Sequence, residues 1–118
     1  MEKGFDFENL EVYQKAVDFT NIVYGVTKKY PKSELFATVS QFRRAALSIP
    51  LNIAEGAGRL HEKEKRQFYQ IAKTSVNECI PIMEISRRQE FLGEDIHQKL
   101  YQSSLELSKM LAGLIKSL

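Results

Sequence analysis

Gln41, Arg44, Ser48, Asn52 and Glu55 recur at spacings of three and four residues, so a helix carries them as one continuous polar stripe. An amide, a guanidinium, a hydroxyl and a carboxylate on one face either satisfy one another as a network that fixes helix register or offer their donors and acceptors to a ligand. The structural network is the expected use. Arg44 and Glu55 are separated by about 16 Å of helical rise, so each needs partners beyond its own helix, and Glu78 is a candidate. Pro50 lies inside the stripe and supplies no N–H to the carbonyl of Ala46, so the Asn52 side chain or a water is the expected substitute donor.

The second chemistry within reach is phosphate binding. Between Arg43 and Lys73, seven bases (Arg43, Arg44, Arg59, Lys63, Lys65, Arg66 and Lys73) stand against three acids (Glu55, Glu62 and Glu64), while the whole chain carries a net charge of only +2. Arg59, Lys63, Lys65 and Arg66, with Arg43 and Lys73 further along, are the candidate nucleic-acid contacts. The same residues also suit solvated helix ends, where Lys and Arg are favoured by the helix dipole. One copy of the cluster is a weak phosphate site, and repetition around an oligomer would strengthen it, because affinity grows with the number of phosphates neutralised.

Other candidate chemistry dissolves on inspection. Glu94 and His97 have the Glu-x-x-His spacing of di-iron carboxylate bundles, but that site needs a second pair, and Gly58 occupies the corresponding position before His61. Gly56-Ala57-Gly58 follows a helix instead of a strand and reads as a helix terminator, not a phosphate loop. Cys79 sits on an apolar stripe without a nearby histidine and reads as core. The expectation is a chain without enzymatic activity, metal or cofactor.

Four helices must position these residues. Leu10, Tyr13, Val17, Thr20, Tyr24 and Thr27 mark the core seam of a first helix over 9–29, with Asn9 as N-cap and an end forced by Tyr30-Pro31. Leu35, Val39, Phe42, Ala46, Ile49 and Ile53 predict a second helix over 33–58, kinked at Pro50. Phe68, Ile71, Ala72, Ser75, Cys79 and Ile82 predict a third over 62–90, kinked at Pro81 and stopped by Gly93. Leu100, Ser104, Leu107, Leu111, Leu114 and Leu118 complete a fourth over 95–117. Short connections between long helices predict an all-α, antiparallel up-down-up-down four-helix bundle, with residues 1–118 forming one domain. The first helix has a second apolar stripe, Val12, Ala16, Phe19, Val23 and Val26, about 200° around from the first. Since a bundle helix buries one stripe, Val12, Phe19, Val23 and Val26 are the expected contacts to another subunit. Tyr69, Val76, Ile80 and Met83 form a weaker second stripe on the third helix.

Composition agrees with this class. Of the 118 residues 43% are hydrophobic and 27% charged, with 6 Gly and 3 Pro, which excludes disordered and collagenous chains. The single cysteine rules out an internal disulfide framework and fits a reducing compartment. With no signal-peptide pattern and no apolar run of about 20 residues, a cytoplasmic location and no membrane association are expected.

Ser48-Ile-Pro-Leu-Asn-Ile-Ala-Glu-Gly-Ala-Gly-Arg59, preceded by Gln41-Phe-Arg-Arg-Ala-Ala and followed by an aromatic-rich helix with Ser75 and Glu78, resembles the four-helix-bundle family of proteins encoded within 23S ribosomal RNA intervening sequences. The resemblance runs from Leu10-Glu-Val-Tyr13 through Tyr30-Pro31 to the final leucine-rich helix. It implies a ring-shaped homo-oligomer, typically a homopentamer, associated with nucleic acid, RNA or DNA. The family also includes the accessory variability protein of diversity-generating retroelements, which implies a reverse transcriptase as partner where the gene lies in a retroelement. Those relatives are strongly basic, whereas this chain is not. The other class that the residues allow is an oligomeric protein-interaction scaffold without nucleic-acid binding.

Overall fold

The computed structural model describes residues 3–118. Four helices dominate it: α1 (Glu11–Thr27), α2 (Ser40–Ala57), α3 (Glu62–Arg88) and α4 (Glu94–Lys116). Among the described residues there is no strand, and none of the helices is long and apolar enough to cross a membrane. They pack as a bundle, α1 on α2, α2 on α3 and α3 on α4, with α4 returning to α1 across the thinnest of the four seams.

The helix ends differ from the sequence expectation in three places, each for a local reason. Asn9 does not cap α1. Its amide is engaged with the backbone of Lys3 at 3.0 and 3.2 Å, closing a short 3-10 turn at Asp6–Asn9, and α1 starts after the extended Leu10. The second helix does not begin as one α-helix at Ser33. A 3-10 turn (Lys32–Glu34) passes into a π-helical turn (Leu35–Val39) before regular geometry sets in at Ser40, with the Thr38 hydroxyl donating to the Glu34 carboxylate across the wide turn.

The stop after α3 is not glycine-based. Glu90 takes the left-handed conformation at φ 63°, the Glu90 N–H donates to Arg87 O at 3.0 Å and the Phe91 N–H to Ser86 O at 2.8 Å. That is a Schellman closure with glutamate where glycine is usual, and Phe91, the residue after it, packs on Tyr30. Gly93 instead precedes α4 with an extended backbone, φ −71° and ψ 159°.

Burial reverses the two faces of α1. Val12, Ala16, Phe19 and Val23 join Phe42, Ala46, Ile49 and Ile53 of α2, Ala72, Val76, Cys79 and Met83 of α3, and Leu100, Leu107 and Leu111 of α4 in one core. Val26 is half-buried against it. Val12, Phe19 and Val23 are therefore closed to another subunit, and the face expected inside is only partly enclosed, with Tyr13 and Tyr24 half-buried and Val17 exposed. The reason is chemical. The two stripes have equal spacing, but only Val12-Ala16-Phe19-Val23 is free of hydroxyls, and burying a polar group costs free energy unless it is hydrogen-bonded. Thr20 and Thr27, at the boundary, are buried because their hydroxyls donate to Ala16 O and Val23 O one turn back, at 2.8 and 2.7 Å. On α3 the stripes are shared out: Tyr69, Val76 and Met83 are buried, Phe68 and Ile82 half-buried, and Ile71 exposed.

Candidate interaction surfaces

Both α2 and α3 continue as helix through their prolines. The carbonyl of Ala46, deprived of a donor by Pro50, is met from outside its own helix. Thr20 Oγ1 of α1 stands 3.0 Å from it while also 2.8 Å from Ala16 O, so one hydroxyl bridges two carbonyls on two helices. Asn52, the expected donor, turns elsewhere: its Nδ2 donates to Ser48 O at 2.8 Å and to Ser48 Oγ at 2.9 Å.

Ser48 Oγ also lies 2.9 Å from Ser75 Oγ of α3, whose hydroxyl reaches Ile71 O at 3.0 Å. The polar network is thus Ser48, Asn52 and Ser75, tying α2 to α3. The other expected members fall outside it. Gln41, Arg44 and Glu78 are exposed, and Glu55 pairs with Arg59 of the same helix end at 3.0 Å.

The basic cluster divides in the same way. Arg43 stacks on the Tyr24 ring at 4.8 Å and donates from Nε to Thr27 Oγ1 at 2.9 Å, binding it to the C-terminal turn of α1. Lys65 Nζ donates to Ala57 O at 3.0 Å and Gly56 O at 3.3 Å, closing the last carbonyls of α2. Arg59, besides its carboxylate partner, lies over the Phe68 ring at 4.7 Å. Lys63, Arg66 and Lys73 have no ion-pair partner among the described residues. With Gln70 and Asn77 they fall at spacings of three and four along α3, an acid-free stripe of cations and amides. Grouping by sequence had gathered helix-end residues; the structure selects those sharing one helix face.

Two apolar surfaces flank α2. Between α1 and α2, Phe7, Tyr13, Val17, Tyr24, Leu47, Pro50 and Leu51 line an open groove of about 420 Å³, in which Val17 is 40% and Leu51 55% exposed. Between α2 and α3, Ala37, Thr38, Gln41, Ile82 and Ile85 line a shallower one of about 300 Å³. Close packing beside α2 also explains Gly56: a Cβ there would come within 2.6 Å of the Tyr69 ring, itself buried.

Cys79, Glu94 and His97, weighed above for their chemistry, have these surroundings. Cys79 is buried, and burial together with the neighbouring Glu78 charge pushes its thiol up to about 12. Glu94 approaches Arg87 at 3.7 Å, and His97 stacks on Tyr101. No group of three or more His, Cys, Asp or Glu side chains gathers as a metal site among the described residues.

The family model for the 23S rRNA-intervening sequence protein matches residues 8–113, nearly the whole chain. The chain belongs to this family. No curated protein matches it. Among solved structures, a protein of unknown function from the S23 ribosomal protein family of Bacteroides thetaiotaomicron VPI-5482 is similar, with a TM-score of 0.83 and 24% identity, covering 89% of this chain and 98% of that one. That likeness extends to the fold. The Ser48-to-Arg59 segment is accounted for locally by the Ser48–Asn52–Ser75 network, the Thr20 bridge, the close approach at Gly56 and the Glu55–Arg59 pair.

Proposed function

We propose that this 23S rRNA-intervening sequence family protein is a non-catalytic homo-oligomer, a ring-shaped pentamer of antiparallel up-down-up-down bundles bent at Pro50 and Pro81, that associates with nucleic acid, RNA in the first place, in the cytoplasm. The antiparallel order is supported by pairings in which later residues of one helix meet earlier residues of the next: Thr20 with Ala46, Thr27 with Arg43, and Ser48 with Ser75.

The observation that carries the nucleic-acid reading is the stripe of Lys63, Arg66, Gln70, Lys73 and Asn77. Among the described residues its cations have no ion-pair partner, and its amides can reach phosphate or base edges. A single stripe engages one or two phosphates. About five copies bring the total to roughly 6–10 contacts, whose affinity falls ~10³–10⁵-fold between 50 and 200 mM salt.

A salt titration of binding to structured RNA and to duplex DNA tests this, with wild type against a Lys63→Glu, Arg66→Glu, Lys73→Glu variant of unchanged oligomer mass. Steep salt dependence in the wild type, lost in the variant, is the expected result. Equal and salt-insensitive affinities, or no binding at low salt, leave the protein-interaction scaffold as the better account.

A further inference from the structure

The apolar groove between α1 and α2 and the isoleucines along α3 are on opposite flanks of α2. One is a groove between two helices; the other is a helix ridge in the sense of a row of side chains, Ile71, Ile82 and Ile85 along one edge of α3, with Ile71 41% and Ile85 55% exposed and Ile82 and Ile85 bordering the smaller hollow against α2. The ridge spans fifteen residues, roughly 21 Å of rise, and the groove runs from Tyr13 to Tyr24, roughly 17 Å. Both run along their helices.

Charge marks the same surfaces. Arg44 and Glu78 are exposed, and among the described residues neither has an ion-pair partner. The Ser48–Ser75 hydrogen bond sets the register of α2 against α3, and in the antiparallel order Arg44, one turn before Ser48, lies level with Glu78, about one turn after Ser75.

We propose that the α1–α2 groove of one copy receives the α3 ridge of the next copy, with Arg44 of the first pairing with Glu78 of the second. This rests on the oligomer reading above and gives it an interface. Rotation about an axis parallel to the helices leaves each residue at its own level, so Glu78 of the neighbour arrives at the height of Arg44. By the same geometry Ile71 arrives near Leu51, and Ile85 near Phe36, a side chain that is 93% exposed in the single chain.

A groove meeting a ridge is a head-to-tail contact, which closes into a ring or continues as a filament but does not pair two copies symmetrically. The long flank of the bundle, 43 Å by 25 Å, has room for the roughly 800 Å² per partner of a standard interface.

The test uses Leu51→Glu to block the groove and Ile85→Glu to block the ridge, both at exposed positions, with circular dichroism confirming the helical fold. Light scattering should give an oligomer for wild type, a monomer for each variant alone, and a one-to-one dimer for their mixture, since one intact groove and one intact ridge remain. Arg44→Glu or Glu78→Arg alone should weaken assembly at least tenfold, and the two together should restore it. A wild-type oligomer whose variants keep its mass, or variants that each form dimers alone, overturns this interface while leaving the oligomer reading in place. A monomeric wild type at micromolar concentration overturns both.

Discussion

The Thr20 hydroxyl oxygen stands 3.0 Å from the carbonyl oxygen of Ala46, the acceptor that Pro50 leaves without its helical donor. A proline inside a helix costs roughly 3 kcal/mol or more, part of it the unsatisfied carbonyl one turn back. Here the Thr20 hydroxyl of the neighbouring helix shares its one proton between Ala16 O and this carbonyl, so the irregularity of α2 becomes a fixed point between α1 and α2. Thr20→Val keeps the shape and removes the donor, and should lower the unfolding free energy by about 1–3 kcal/mol. Thr20→Ser, which keeps the hydroxyl, should lose clearly less; equal urea midpoints for the two variants would contradict this role.

Phe19 is a core residue, so Phe19→Ala should cost about 3–5 kcal/mol in chemical denaturation. An interface residue would behave differently, changing the oligomer mass and leaving the monomer's unfolding transition where it was.

Glu90 holds a left-handed conformation that disfavours side chains by about 1–2 kcal/mol. Its carboxylate has no ion-pair partner among the described residues to offset this. Glu90→Gly should therefore raise the melting temperature, corresponding to a stabilisation of about 1 kcal/mol. An unchanged or lower melting temperature would show that the carboxylate contributes more than the backbone loses.

Cys79 gives a pH signature. Its thiol ionises near 12 when folded, against an ordinary value of 9.0, so the protonated form is favoured by folding. The stabilisation is complete below pH 9 and is lost as pH rises from there towards 12, by up to about 1.4 kcal/mol per pH unit, because the unfolded chain releases its proton first. Denaturation midpoints of wild type and Cys79→Ala should converge over that range. At pH 8 a thiol reagent should label the unfolded chain and leave the native one unmodified.

Much of this protein was readable as pattern. Helical spacing placed all four helices, and the proline-bearing stripes of α2 and α3 do run through as helix. The seam of α4 is buried at Leu100, Ser104, Leu107 and Leu111 as its period requires. Family membership was also legible, because the ordered segment from Ser48 to Arg59 is a property of the chain itself. The fine structure of the ends was less so: no residue type announces the π-helical turn at Leu35–Val39, and Glu90 takes a conformation usually left to glycine.

Periodicity fixes which residues share a face, but not which of two equal faces turns inward. On α1 that choice fell to tertiary packing, which buried the hydroxyl-free stripe and left Tyr13 and Tyr24 half-buried and Val17 exposed. The partners of charges were decided the same way. Lys65 and Arg43 looked like members of one basic cluster because they are close in sequence. Each is instead drawn to the carbonyl end of a different helix, where negative partial charge accumulates, while Lys63, Arg66 and Lys73 remain together because α3 carries them on one side. The donor for Ala46, twenty-six residues away at Thr20, became visible only in three dimensions. A hydrogen bond depends on distance and direction in space, and the order of residues along one helix does not encode what an adjacent helix brings to it.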